Sequence, residues 1–384
     1  MITKGRVILI QACVIEDSPR LIKEVEVLEQ NGYSVTLLGW DREGEFSSLK
    51  QKKGKGSLRK ITLKIMAPKG IGVFPFLLVW WCFELFWLIR AKYDCIHVIN
   101  FNSVIPAVIV GGLKNKRVIY EVLDTQTDWD IFPRIVRHEL IQVDKMFMWL
   151  ADAIILVDEM QIEEFGGINE SKVIVVYDSP PDVFHRMDFG YENERDKVFT
   201  IFYAGKLNRA RRLNLDKIFT AISDINDVRI VIAGYGDLDR EIEEWAHKMP
   251  EKITFIGRIS YVEVLERSIK SNLLFSIRDP LMPTHKYICG CKMLEAMMCG
   301  KPILVSKGTS TAIKVSKEKC GIVIDADNVE EIKNAIIKLK ENKELCSKLG
   351  INGRKAYENT YDWEIMKQRL LNLYSELCKN LRDN

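Results

Sequence analysis

The stretch FTIFYAGKLNRARRLNLDKIFTAISDINDVRIVIAG, residues 199–234, decides the fold class. It opens with an apolar run, continues into LDKIFTAISDI with apolar residues at helical spacing, and closes with a second apolar run. Apolar runs on either side of a helix are typical of a parallel sheet whose two faces are both covered by helices. The stretch therefore predicts a strand–helix–strand unit.

The same alternation of strands and helices extends through both halves of the chain. In the first half, GRVILIQACV, YSVTLLGW, YDCIHVIN and KRVIYEV are strand-like, with segments of helical spacing between them. The sequence thus predicts an α/β fold of two Rossmann-like domains that face a cleft. We place an N-terminal domain at 1–185, a polar linker at 181–197, a C-terminal domain at 198–360, and a returning helix at 361–384.

Composition and charge exclude several classes of protein. The chain has 384 residues, 47% of them apolar, which is too many for a single core or for disorder. A net charge of +3 gives no overall attraction to nucleic acid, and nine scattered cysteines indicate free thiols rather than a disulfide framework. The apolar N-terminus lacks a cleavage site, so we expect a first strand rather than a signal peptide and a cytoplasmic location.

Residues 71–90, IGVFPFLLVWWCFELFWLIR, are apolar almost throughout. A basic segment, KQKKGKGSLRK at 50–60, precedes them, and aromatic residues beside lysines are typical of a contact with anionic lipid. We expect a membrane-facing helix that associates peripherally with the inner face of the cell membrane. A plain core helix and a spanning helix are the alternatives, although Glu84 interrupts the apolar run.

Three turns of the second half follow strands and carry glycines or cations. Because ligands of open α/β sheets bind beyond the carboxyl ends of strands, these turns are candidate binding loops. They contain Gly205, Lys206, Arg209, Arg211 and Arg212 in the first turn, Gly234 and Gly236 in the second, and Gly290, Cys291 and Lys292 in the third.

The third turn, within CGCKMLEAMMCGKPIL at 289–304, permits three hypotheses. A zinc site would use Cys289, Cys291, Cys299 and His285, but a helix of about two turns separates Cys291 from Cys299 by roughly 12 Å. A redox pair would normally have Cys-x-x-Cys spacing. A glycine turn that opens a helix favours an anion, and Glu295 one turn later suits a ribose diol, so a nucleoside diphosphate is the favoured ligand.

These residues resemble glycosyltransferase family 4, the retaining sugar-nucleotide transferases of GT-B architecture. The resemblance runs through FYAGKLNRARR, VRIVIAGYGDL, ITFIGRIS and CGCKMLEAMMCGKPILVS in the family's order over about 100 residues. The first half is similar more loosely, through EDSPRLIKEVEVLEQNGYSVTLLGWDR, YDCIHVIN and RVIYEVLD.

The resemblance implies a role for each matching position. Lys206 and Arg211 would neutralise the donor diphosphate, Glu295 would match the second glutamate of the Glu-x7-Glu motif, and no metal or other cofactor would be required. The implied catalytic residues are Lys206, Arg211 and Asp124. The implied donor-binding residues are Gly205, Lys206, Arg211, Gly234, Gly257, Arg258, Gly290, Cys291, Lys292 and Glu295.

The sequence departs from the family pattern at two positions. Tyr287 stands where the motif has its first glutamate, and Leu123 stands where the family often has a histidine near the reacting sugar. The glycine-rich turn after the first strand is also missing. Arg20, Tyr287 and Asp124 remain as polar contacts to the acceptor or the sugar.

The resemblance implies a retaining glycosyltransferase that moves a hexose from a nucleotide sugar to a lipid-linked or glycan acceptor at a membrane. Two alternatives stay open: a catalytically impaired subunit that binds the nucleotide sugar, and a sugar-nucleotide epimerase of the same fold. A dehydrogenase is disfavoured, because no Gly-x-Gly-x-x-Gly follows the first strand.

Overall fold

The computed structural model describes residues 3–15, 18–42, 44, 58–68, 70–123, 134–184, 198–209 and 213–379. The chain forms two compact units, Met1–Asp178 together with Met366–Asn384, and Ser179–Ile365. Residues 179–184, which the sequence analysis placed in the first domain, lie in the second unit. Most of the predicted linker, 185–197, and most of the basic segment at 50–60 lie outside the described residues.

The first unit is built on a seven-stranded parallel sheet of order β3-β2-β1-β4-β5-β6-β7. The strand order reverses at β1, whose Val7 pairs with Val35 on one side and Cys95 on the other. Its strands are β1 Gly5–Gln11, β2 Tyr33–Asp41, β3 Arg59–Lys64, β4 Cys95–Ile99, β5 Arg117–Val122, β6 Ala153–Leu156 and β7 Val173–Val175. Its helices are α1 Pro19–Gln30, α2 Phe74–Arg90, α3 Phe101–Leu113, α4 Arg134–Leu150 and α5 Met160–Phe165.

The second unit repeats this plan with a six-stranded parallel sheet of order β10-β9-β8-β11-β12-β13. Its strands are β8 Phe199–Lys206, β9 Val228–Tyr235, β10 Ile253–Phe255, β11 Leu273–Ser276, β12 Ile303–Ser306 and β13 Gly321–Ile324. Its helices are α6 Leu215–Ile222, α7 Asp239–Lys248, α8 Tyr261–Lys270, α9 Pro283–Tyr287, α10 Cys291–Met298, α11 Ser310–Glu318, α12 Val329–Glu341 and α13 Lys343–Ala356. The prediction of two Rossmann-like parallel sheets is confirmed.

The last helix, α14 Trp363–Lys379, packs against the sheet of the first unit. The Tyr374 ring lies 5.6 Å from the Tyr33 ring, and its hydroxyl is 2.8 Å from Nδ1 of His97 in β4. Arg369 donates through Nη1 to the Val175 carbonyl at 2.8 Å. The chain therefore returns to its first unit through buried contacts.

Helix α2 directs its tryptophans mostly inward. Trp80 is fully buried, stacks on Trp40 at 5.9 Å and donates through Nε1 to the Ser103 hydroxyl at 3.0 Å. Trp81 donates to the Asn102 carbonyl at 2.7 Å. The core-helix alternative thus accounts for these two rings, which the sequence analysis had counted among those that contact lipid. In the part of the chain that the structure describes, no helix is both long and apolar enough to cross a bilayer.

We predict that Glu84→Gln changes the pH dependence of stability. Glu84 is fully buried in α2, and burial raises its pKa well above the usual value, with Ser103 offsetting only part of the effect. Because the native pKa is raised, the protein has its full stability below the unfolded pKa of about 4.3. It loses stability as the pH rises from there towards the native pKa. In urea denaturation, the variant should gain up to about 1.4 kcal/mol per pH unit relative to wild type above that pH. A difference that does not vary with pH would contradict this.

We predict that Gly350→Ala destabilises the second unit. A Cβ on Gly350 in α13 would lie 2.1 Å from the Gly300 carbonyl oxygen, at the turn after α10. The unfolding free energy should fall by about 1–3 kcal/mol because backbone must move. Gly112→Ala in α3 is the matched control, since its Cβ would meet nothing within 4 Å and should stabilise by up to about 1 kcal/mol. Equal effects of the two substitutions on the urea midpoint would refute the packing argument.

Candidate functional site

Glycines allow the carboxyl ends of β8 and β9, and the loops that follow them, to approach each other closely. Gly205 and Gly234 are paired in register, and a Cβ on Gly234 would lie 2.0 Å from the Gly205 carbonyl oxygen. Gly234 also has a φ of +148°, which side-chain-bearing residues rarely adopt. A Cβ on Gly236 would lie 2.3 Å from Oδ1 of Asn208. These positions therefore require glycine for the two loops to approach each other.

A row of polar and aromatic side chains follows the carboxyl ends of β8, β9 and β10. Lys206 is exposed and is paired in register with Tyr235, whose ring lies 4.6 Å below the Arg258 guanidinium carbon. A Cβ on Gly257 would meet no atom within 4 Å, so the space beside this row is open. Arg211 and Arg212 lie outside the described residues, and Arg209 pairs with Glu241 at 2.9 Å.

Helix α10 begins at Cys291 without a side-chain cap. Its N-cap residue is Gly290, whose own N–H donates to the Thr311 hydroxyl at 3.1 Å. The first-turn N–H groups and the positive end of the helix dipole suit an anion. The helix is firmly placed, because five of its residues are almost completely buried: Met293, Leu294, Ala296, Met297 and Met298.

Arg278 adds a cation to this helix end, and the sequence analysis missed it. A Cβ on Gly290 would lie 3.3 Å from the Arg278 guanidinium, so the lack of a side chain at 290 makes room for it. The Arg278 main-chain N–H donates to the Ser306 hydroxyl at 2.7 Å, which fixes the residue beyond β11. Its place two residues after LLFS, at the carboxyl end of a predicted strand, was the signal that could have identified it.

Lys292 and Glu295 form an ion pair one turn into α10. The Lys292 ammonium donates to Oε2 of Glu295 at 2.6 Å, and Glu295 is only 8% exposed. Burial lowers the pKa of Lys292, but the Glu295 carboxylate outweighs burial, so the net pKa is raised. The pair borders a small cavity lined by Phe202, Ala204, Val264 and Leu274. A mostly buried carboxylate is thus present where a ligand hydroxyl could donate to it.

The cysteines of this region do not form a metal site. Cys289 and Cys299 are buried while Cys291 is exposed, and Nδ1 of His285 lies 2.8 Å from the Asp279 carbonyl oxygen. Burial, with a contribution from Glu295, raises the pKa of Cys299 to about 12, so its thiol stays protonated. Across the described ranges, the one set of potential ligand atoms within 4.8 Å of one another is Glu24, His97 and Glu121, in the first unit.

That buried set surrounds Arg20, for which the sequence analysis predicted a contact with an acceptor or sugar. Arg20 is only 4% exposed; its Nε donates to Oε1 of Glu121 at 2.6 Å and lies 3.1 Å from Glu24. Burial lowers the pKa of Arg20, but the Glu121 and Glu24 carboxylates raise it by more, so the net pKa is raised. The guanidinium is therefore the cation of this cluster. Arg20 therefore joins α1 to β5 through a buried ion pair, and its contact with an acceptor stays a prediction.

The remaining predicted contacts are placed only in part. Asp124 lies outside the described residues, and the adjacent Leu123 donates its N–H to Oδ1 of Asn100 at 2.8 Å. Tyr287 ends α9, is half-buried, and accepts a hydrogen bond from the Lys286 ammonium at 2.8 Å. The structure thus places a phenol beside an ammonium where the family motif has a carboxylate.

Sequence comparisons with known proteins match glycosyltransferases. Residues 187–356 match the family described as glycosyl transferases group 1. An uncharacterized glycosyltransferase of Methanocaldococcus jannaschii is 26% identical over 287 residues, which are 73% of this chain and 76% of that protein.

Two further similarities concern proteins with stated ligands. A GDP-mannose-dependent monoacylated alpha-(1-6)-phosphatidylinositol monomannoside mannosyltransferase of Corynebacterium glutamicum is 24% identical over 155 residues, covering 38% of this chain and 39% of that protein. The structure of HepE from Anabaena in complex with UDP and glucose has a TM-score of 0.72 at 13% identity, covering 97% of this chain and 100% of that chain. This last similarity concerns the fold, which is GT-B.

We predict that Lys292→Met destabilises the protein because it leaves the Glu295 carboxylate buried without its cation. Both side chains retain some exposure, so the loss of unfolding free energy should be about 2–3 kcal/mol, below that of a fully buried pair. The double variant Lys292→Met with Glu295→Gln should recover most of this loss in urea denaturation. If Lys292→Met alone is as stable as wild type, the ion pair does not contribute to the unfolding free energy and the prediction is wrong.

Proposed function

We propose that this chain, a glycosyltransferase with a group 1 domain at residues 187–356, moves one hexose from a nucleoside-diphosphate sugar to a membrane-associated acceptor with retention at the anomeric carbon. The acceptor is a lipid-linked saccharide or a glycan. The observation that carries the proposal is the uncapped start of α10, with the Arg278 guanidinium beside it and the Glu295 carboxylate one turn later.

The diphosphate binds at the start of α10 in this proposal. The first-turn N–H groups of Cys291 and Lys292, the positive end of the helix dipole and the Arg278 guanidinium together favour negative charge at this place. Lys206, at the end of β8, and Arg211 supply further cations to the same ligand. Donors fixed before the reaction stabilise charge that develops on the leaving group, which is usually the largest catalytic effect.

The nucleoside extends from the diphosphate towards the ends of β9 and β10. The ribose hydroxyls donate to the Glu295 carboxylate, which the Lys292 ammonium holds in place at 2.6 Å. The base lies beside Gly257 and Arg258, where the space next to the backbone is open. Because side-chain cations and helix N–H groups neutralise the phosphates, the proposed reaction uses no metal ion.

The transfer step follows from this arrangement. The bond between the anomeric carbon and the diphosphate oxygen breaks, and the electron pair leaves with the diphosphate. The acceptor hydroxyl forms the new bond on the same face of the sugar, and its proton passes to the departing phosphate. Lys206 and Arg211 stabilise the leaving group, while Asp124 and the Tyr287 hydroxyl contact the sugar.

The membrane-associated acceptor is supported by the relative that acts on a phosphatidylinositol mannoside, and the nucleoside diphosphate by that relative's GDP-mannose and by the neighbour's bound UDP. We place the enzyme at the inner face of the cell membrane. A second candidate is an impaired subunit that binds the donor without turnover, which the phenol of Tyr287 favours because it cannot supply a carboxylate's charge. The epimerase alternative has only a similarity of fold in its favour, to a putative UDP-N-acetylglucosamine 2-epimerase of Listeria monocytogenes with a TM-score of 0.63 at 17% identity.

We predict that one nucleoside diphosphate stabilises the protein and that Glu295→Ala weakens this binding. A ligand at about 100 times its dissociation constant adds about 2.7 kcal/mol, which raises the melting temperature by about 5–10 °C. Loss of the hydrogen bonds to Glu295 should weaken binding about 10- to 100-fold. The measurement is a thermal-shift titration with UDP, GDP, ADP and CMP.

Glu244→Ala in α7 is the matched control for this titration, because Glu244 makes an exposed ion pair with Arg240 at 3.3 Å. The control should bind like wild type. No stabilisation by any nucleotide, or equal binding by Glu295→Ala, would refute the site. Binding without release of nucleoside diphosphate from any tested sugar donor would favour the impaired subunit.

A further inference from the structure

Helices α2, α3 and α4 form a layer in the first unit, since α3 contacts both of the others. Trp81 of α2 bonds to the Asn102 carbonyl of α3, and Phe101 of α3 packs on Phe147 of α4 at 6.2 Å. We call the outward side of this layer the outer helical face. Its exposed apolar residues are Leu78, Val79, Phe86, Ile89, Ile109, Leu113, Ile135, Val136, Val143, Met146, Trp149 and Leu150.

The apolar residues run along the helices rather than occurring singly. On α2 they extend from Leu78 to Ile89, about 16 Å, and on α4 from Ile135 to Leu150, about 22 Å. Trp149 is 68% exposed and Leu113 is 82% exposed. Extended exposed apolar surface of this kind marks an interaction site rather than ordinary surface variation.

Basic side chains lie at the carboxyl-terminal ends of the same helices. Lys114 donates through Nζ to the Leu88 carbonyl at 2.8 Å, and Lys172 donates to the Trp149 carbonyl at 2.9 Å. The Arg90 guanidinium carbon lies 4.6 Å above the Phe86 ring. Lys92, two residues after the end of α2, is exposed. Cations therefore accompany the apolar residues on α2, α3 and α4.

Two acidic residues near these helix ends are matched by other arginines, whereas Glu139 of α4 is exposed among its apolar residues. Asp94 pairs with Arg6 at 2.9 Å, and Asp152 pairs with Arg117 at 2.6 Å. Burial raises the pKa of Asp94, but the hydrogen bond from Arg6 lowers it more, so the net pKa is lowered and this carboxylate stays ionised within its pair. The end of the layer thus carries an excess of positive charge although the whole chain has a net charge of only +3.

We propose that the outer helical face docks flat on an anionic lipid surface, with its apolar residues at the acyl boundary and its basic residues among the headgroups. This combination is typical of proteins that lie on, rather than cross, a bilayer. A second copy of the chain is the alternative occupant, and loss of a dimer in the variant described below would identify it. The inference rests on the proposed function in that the acceptor is a membrane component.

Flat docking gives the sheet a defined orientation. Helices that connect parallel strands run antiparallel to them, so the N-terminal ends of α2 and α4 lie at the carboxyl edge of the sheet. Ligands of such sheets bind at that edge. Contact of Leu78 and Ile135 with the lipid would bring this carboxyl edge of the sheet next to the headgroups, where a lipid-linked acceptor is presented.

We predict that the full chain floats with vesicles of phosphatidylcholine and phosphatidylglycerol, and much less with phosphatidylcholine alone or at high salt. The partition coefficient of the variant Ile89→Glu with Trp149→Glu should be at least about tenfold lower than that of wild type, because charges replace apolar contacts. The variant Arg90→Glu with Lys92→Glu should also bind anionic vesicles less, by about fivefold for each cation removed. Its binding to vesicles without anionic lipid should not change.

Matched controls come from the second unit. Val262→Glu with Ile351→Glu alters exposed apolar residues of α8 and α13, and Lys338→Glu with Lys355→Glu reverses exposed charges of α12 and α13. Both controls should float like wild type. Unchanged flotation of the Ile89 and Trp149 variant, no flotation of wild type, or loss of a dimer in that variant would each overturn the proposal.

Nucleotide binding separates this inference from the proposed function. The Ile89 and Trp149 variant should keep the melting temperature and the nucleoside diphosphate affinity of wild type, since neither residue belongs to the second unit. Vesicle binding without nucleotide binding would leave the docking face intact and refute the transferase site. The reverse result would refute the docking face alone.

Discussion

Helix α10 starts without a side-chain cap, and much of the second unit is arranged around that open helix end. Gly290 accommodates the Arg278 guanidinium, Thr311 accepts the Gly290 N–H, and five buried residues fix the helix axis. Gly350 brings α13 against the turn that ends α10. A helix end that had to satisfy its own N–H groups with a serine or aspartate would not offer them to a ligand. The cost in helix stability is offset by packing on both sides.

Apolar periodicity was sufficient to predict the two parallel sheets, because buried strands and their connecting helices differ in both length and spacing. It also led to the turns after β8 and β9 and to the start of α10 beyond β11, whereas the turn after β10 was identified only through the family resemblance. Helical spacing places Glu24 beside Arg20, but it could not reveal that Glu121 of β5 completes the enclosure, because Glu121 is 101 residues away and meets Arg20 only where α1 packs on the sheet. Arg278 was missed for a related reason, since its proximity to Gly290 depends on how the loop after β11 folds back.

The aromatic segment shows why hydrophobicity alone does not define a surface. Trp80 and Trp81 are bonded to α3, whereas Leu78, Phe86 and Ile89 on the same helix are exposed. The helix therefore serves the core through one side and the proposed lipid contact through the other. Trp149 and Leu113 extend that second side to helices whose sequences attracted no attention, because an exposed stripe becomes evident only when neighbouring helices are in place.

The account's central claim is that the start of α10 binds the diphosphate of a sugar nucleotide. A crystal structure with the nucleoside diphosphate that most stabilises the protein would test it most directly. The account predicts phosphate oxygens against the first-turn N–H groups of α10 and the Arg278 guanidinium, with the ribose hydroxyls on Glu295. Phosphates bound elsewhere, with Glu295 still paired only to Lys292, would contradict it.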